Sequence, residues 1–210
     1  MTEPAVFLGR VRRRLESIER TALELPSDWA VEIEDPLRRF ESEVHVAGGT
    51  FHYATEAEAG EVLQSILVPL GKPLVLLTHE SGIPATVASS ARVAGRLEWW
   101  PTTREVAVQA DVGVTGALWG VAETGTVLVS SASPGGRAPS LLPPIHVAFV
   151  ARSRLLNTVA ELFKRIAEMK ERPSNLVLVT GPSKSGDIEN VLVRRVHGPG
   201  ETHVVMLEDG

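Results

Sequence analysis

Three short runs of apolar residues, each bounded by glycine, proline or polar residues, constrain this chain most. They are Pro73–Thr78, Ile145–Val150 and Leu176–Thr180. Each is too short for a helix and has no polar alternation, which is the pattern of a strand covered on both faces. Segments with helical spacing precede the first run, at Val62, Leu63, Ile66 and Leu67, and separate the second from the third, at Leu155, Val159, Leu162, Phe163 and Ile166. Buried strands alternating with amphipathic helices predict an α/β fold, with a mostly parallel sheet between helical layers.

The remaining elements fill in around that frame. Leu8, Val11, Leu15 and Ile18 share one stripe and predict an amphipathic docking helix over about residues 4–20. Residues 27–43 carry Pro36 and mixed charge and read as an irregular connector. Thr50–Tyr53 reads as a strand, and Thr55-x-x-Glu58 as a capping box for a helix ending near Leu70 and stopped by Gly71. Val106–Val108, Val112–Val114 and Val127–Ser130 are expected to be strands, with turns at Gly113, Gly116, Gly120 and Gly125. A helix is expected over 155–169, a short helical piece at 188–191, and a last strand at His203–Leu207. Without a repeat, linker or low-complexity stretch, residues 1–210 read as one domain whose motifs fall within about 110–208.

Composition removes several chemistries. The chain has no cysteine, so it supplies no disulfide, thiolate nucleophile or cysteine-bound iron–sulfur cluster. A net charge of −5 argues against nucleic-acid binding, and the run Arg12–Arg14 is interleaved with Glu16 and Glu19. No apolar stretch approaches membrane-spanning length and the N-terminus lacks a signal-like core, so a soluble cytoplasmic protein is expected. The six histidines show no tight ligand spacing, so no metal or other resident cofactor is expected.

Four loops remain as candidates for function. Thr180–Glu189, with Gly181, Ser183, Lys184, Ser185 and Asp187, reads as a strand-to-helix loop whose free amides suit an anion, or else as a structural turn. It lacks the Lys-Ser/Thr of a nucleotide-phosphate loop after Gly186. Glu123-Thr124-Gly125-Thr126 places a carboxylate beside a glycine turn, as a general base or nucleophile or as a solvated turn residue. Arg137 sits in a glycine- and proline-rich loop and could clamp an anion, and His197-Gly198-Pro199 is either part of a site or a fixed turn histidine. Trp99, Trp100 and Trp119 could stack on a planar ligand or pack internally. In open parallel sheets ligands bind beyond the carboxyl ends of the strands, which directs attention to the loops after Thr78, Ser130 and Thr180.

The order and spacing of Ala122–Thr126, the Arg137 loop through Leu141-Leu142-Pro143, Gly181–Glu189 and Val196–Pro199 resemble the LUD family of lactate-utilisation proteins. Two positions depart from its pattern: Ser185, where threonine is frequent, and Arg195, where glycine often precedes Val-His-Gly-Pro. The resemblance implies a three-layer α/β/α sandwich like that of the glucosamine-phosphate deaminase, ribose-phosphate isomerase and CoA-transferase group. It also implies a role in oxidising L-lactate to pyruvate beside iron–sulfur partner subunits, which would carry the electrons, with a small anionic metabolite or a partner protein as ligand. A CoA- or sugar-phosphate-handling enzyme using Glu123, with Arg137 and the 183–187 loop holding the anion, is the alternative from the enzyme class.

Overall fold

The structure, a computed structural model, describes residues 4–16, 32–79, 82–130, 138–171, 173–188, 191–194 and 198–209. The chain divides into two units, Met1–Ala30 and Val31–Gly210. In the first, helix α1 spans Pro4–Glu16 and has Arg13 and Arg14 in its last turn, where the helix dipole favours cations. Residues 17–20 of the expected helix and 27–31 of the expected connector lie outside the described residues. Among the described residues no helix is long and apolar enough to cross a membrane.

Residues 36–46 form helix α2 (Pro36–Val46), not a connector. Asp35 caps it by accepting a hydrogen bond from the Arg38 N–H at 3.1 Å, and Pro36 occupies the first turn, where a missing N–H does no harm. Next come β1 (Thr50–Ala54), α3 (Ala59–Leu67) with a 3-10 turn to Leu70, β2 (Leu74–Leu77), α4 (Ala85–Ala94) and β3 (Arg96–Trp99). Thr55 and Glu58 make the expected reciprocal bonds, Thr55 N–H to Glu58 Oε2 at 2.9 Å and Glu58 N–H to Thr55 Oγ1 at 3.3 Å.

Beyond β3 lie α5 (Arg104–Gln109), β4 (Val112–Gly116), β5 (Trp119–Val121), β6 (Thr126–Ser130), α6 (Ala138–Leu141) and β7 (Ile145–Ala151). The expected strand at Val106–Val108 is therefore helical: Thr103 caps α5, and only Ala107 is buried. The chain continues as β8 (Leu155–Leu156), α7 (Val159–Glu168), β9 (Leu176–Val179), β10 (Lys184–Ile188), β11 (Val191–Arg194) and β12 (Glu201–Leu207). Helix α7 starts later than its apolar pattern suggests, because Leu155 and Leu156 pair with Gly120 and Val121 of β5.

Six strands form one sheet in the order β1-β12-β7-β4-β2-β3, every adjacent pair parallel. Alternate residues build two cores. Val75, Leu77, Val114, Val147, Phe149, Val205 and Leu207 face α3 and α4. Ala148, Val150, Val204 and Met206 face Phe40 and Val44 of α2, while Leu74 and Leu76 meet Ala107 of α5. The sandwich is thus three-layered, but the second covering layer also contains a four-stranded sheet, β8-β5-β6-β9, backed by Leu162 of α7.

Gly113, Gly116 and Gly120 lie inside strands, so the turns expected there are corrected, while Gly125 does sit in a turn. At Gly113 the reason is proximity: a Cβ would stand 1.7 Å from the Pro139 carbonyl oxygen, so only glycine lets α6 lie on β4. Gly113→Ala is therefore expected to lower unfolding free energy by about 3 kcal/mol or more, or to prevent folding. Chemical denaturation of the purified variant checks this, and a loss well under about 1 kcal/mol would contradict the packing.

Candidate functional site

The turn joining β5 to β6 is tied down from three sides. The Glu123 N–H donates to the Asn157 carbonyl at 2.9 Å, and Gly125, at φ +63°, presses against α2, where a Cβ would come within 2.5 Å of the Val44 nitrogen. The half-buried Glu123 carboxylate accepts through Oε2 from the Val159 N–H at 2.9 Å. It thereby sits at the positive end of α7, whose cap Thr158 accepts from the Glu161 N–H. This contact accounts for the carboxylate as a helix anchor. Beside it, Thr124, Thr126 and Thr180 form a chain of hydroxyls with two O···O distances of 2.7 Å.

After residues 180–183 the chain enters a strand, not a helix. Residues 184–188 and 191–194 form an antiparallel ribbon, β10 paired with β11 through Lys184↔Arg194, Ser185↔Val193 and Ile188↔Val191, so the helix-start anion site is corrected, and Ile188 and Val191 of the expected helical piece are strand residues. The backbones of Ser185 and Asp187 belong to β10. Before the ribbon, Gly181 packs on the Ala47 backbone and the Ser183 N–H donates to the Pro199 carbonyl at 2.8 Å. Lys184 Nζ donates to the Ala47 carbonyl at 2.5 Å. Arg137 and His197 lie outside the described residues.

These contacts bring Thr124–Thr126 next to Thr180–Gly181, and Ser183–Lys184 next to Ala47 and Pro199. Ala47 precedes β1 and Pro199 precedes β12, so Ser183 and Lys184 lie at the amino ends of parallel strands, not at the carboxyl ends. The reason is that β9 belongs to the second sheet, antiparallel to β6, and carries the chain to that opposite rim.

Sequence reasoning missed a histidine pair near the same rim. His52 Nε2 and His203 Nδ1 are 3.1 Å apart across β1 and β12, with stacked rings, and the tautomers decide which nitrogen donates. Burial, then His52, pushes His203 down to about 4, while burial and His45 lower His52. On the opposite face of the sheet His146 is fully buried, with Nε2 2.9 Å from Thr115 Oγ1 and a buried Nδ1 that has no hydrogen-bond partner among the described residues. Burial, then His203, lowers it to about 4. No spacing signal could reveal a pair 151 residues apart. Among the described residues no cluster of three His, Asp or Glu could hold a metal.

The architecture defines the chain as an α/β/α protein with an all-parallel central sheet and a second, mixed sheet in one covering layer. The LUD domain profile matches residues 37–207, and the chain belongs to the LUD domain family. Lactate utilization protein C of Anoxybacillus flavithermus is 29% identical over 221 residues, covering 97% of this chain and 98% of that protein. The uncharacterized protein YkgG of Escherichia coli is 32% identical over 165 residues, covering 74% of this chain and 71% of its own length. Among solved structures, a DUF162 family protein from Deinococcus radiodurans superposes with a TM-score of 0.64 at 23% identity, covering 85% of this chain and 99% of that one. That likeness confirms the fold.

Two outcomes test the site's physics. Glu123→Ala removes the anchor of α7 and should lower stability by about 1 kcal/mol, read by urea denaturation. His146 titrates near 6.5 when unfolded and near 4 when folded, so its contribution is complete above about pH 6.5 and falls away as pH drops towards 4. Going from about pH 7.5 to about pH 5 should cost roughly 2 kcal/mol through this residue alone. His146→Gln should remove that share of the slope, and an unchanged slope would contradict the assignment.

Proposed function

We propose that this chain is a non-redox subunit or accessory protein of a cytoplasmic L-lactate utilisation system that oxidises lactate to pyruvate, with residues 1–210 acting as one LUD-type domain. The observation that carries the reading is the match to Lactate utilization protein C along nearly the whole length of both proteins. The absence of cysteine supports the non-redox part, because iron–sulfur clusters would have to reside in partner subunits. A small anionic metabolite or a partner protein would be held by Thr124, Gly125, Thr126, Gly181, Ser183 and Lys184, joined by Arg137, Ser185, Asp187 and His197. Lys184 and Arg137 supply the positive charge that an anion requires.

Deleting the gene should abolish growth on L-lactate while leaving growth on pyruvate intact, and the re-supplied chain should restore it. Purified under anaerobic conditions from lactate-grown cells, the tagged chain should bring with it subunits containing iron and acid-labile sulfide. Unimpaired growth on lactate, or an iron-free preparation, would overturn the reading. If a small anion is the ligand, lactate or pyruvate at about 100 times its dissociation constant should add roughly 2.7 kcal/mol of stability.

A further inference from the structure

The carboxyl ends of the parallel strands hold a cavity far from the motif-bearing loops in sequence. Strands β2 and β4 are neighbours, yet their outgoing connections part: β2 leads to α4 on the α3 face, and β4 leads to β5 on the α2 face. Such a divergence leaves a crevice beyond the strand ends, the usual ligand position in parallel sheets. Here a cavity of about 430 Å³ opens beside the end of β2, within the range of small-molecule sites.

Its walls are specific in shape. His79 and Trp99, both on the lining, stack face to face, ring centroids 4.2 Å apart and planes 12° from parallel, so each ring keeps only its outer face for extending the stack. Leu77, Ile83, Pro84 and Ala88 form the apolar remainder, and the described lining includes no Asp, Glu, Lys or Arg. A mainly apolar slot without Asp, Glu, Lys or Arg among its described lining residues favours a planar ring over a compact polar acid such as lactate. A hydrogen-bond donor is present as well. Pro84 gives α4 no side-chain cap, and the amide of Ala85, which lines the cavity at the first turn of α4, has no acceptor among the described residues.

We propose that this cavity binds an uncharged, planar heteroaromatic ring, stacked along the His79–Trp99 pair with acceptor atoms on its rim turned towards the start of α4. The proposal does not depend on the lactate role and would stand if that role failed.

Isothermal titration with adenine, nicotinamide and riboflavin tests it, alongside cyclohexanecarboxamide as a non-planar counterpart of nicotinamide. Two variants, both checked for wild-type circular dichroism and melting temperature, remove the features invoked: His79→Ala takes away an exposed stacking ring, and Ala88→Leu fills the slot. At least one ring should bind with a dissociation constant below about 1 mM. Cyclohexanecarboxamide should bind at least about tenfold more weakly than nicotinamide, or not at all, and each variant should weaken the best ring about fivefold or more. No binding by any ring, equal binding of cyclohexanecarboxamide, or a smaller loss in either variant would overturn the proposal.

Discussion

A parallel sheet of six strands leaves neither face to water, and the rest of this fold follows from covering both. Each strand sends alternate side chains in opposite directions, so the same short run must satisfy two cores. In β7, Val147 and Phe149 serve the α3–α4 side while Ala148 and Val150 serve the α2 side. Where the covering backbone comes closest, at α6 over β4, even a methyl group is excluded, and Gly113 is the residue that permits it.

The central strands were legible because burial on both faces writes itself as an uninterrupted apolar run. Elements decided by something other than periodicity were not. Helix α2 is announced by a cap and a first-turn proline, signals easily taken for a break, and α5 is a single buried alanine flanked by valines that favour strands in isolation. The ribbon β10–β11 has the glycine, serine and aspartate content of a turn and pairs with itself rather than with a core. Strand β8 is two residues long, and its leucines fit a helical stripe until the partner strand β5 is known.

The candidate site divides in the same way. That Glu123–Thr126 and Thr180–Ser183 belong near one another could be suspected from their residue types. The contact that joins them, a hydroxyl chain between Thr126 and Thr180, spans 54 positions and depends on β9 leaving the parallel sheet. Because of that departure, Ser183 and Lys184 lie at the amino rim, while the cavity beside His79 and Trp99 lies at the carboxyl rim.

The position of β12 has a consequence for how the molecule is made. Strand β12 lies between β1 and β7, so a growing polypeptide cannot close the sheet until residues 201–207 have left the ribosome. Until then, β1 and β7 present unmatched backbone edges, the surfaces most prone to pairing with a neighbouring chain. Closure of the sheet therefore depends on non-local pairing, such as Thr50 with His203, a kind of contact that is slow to form.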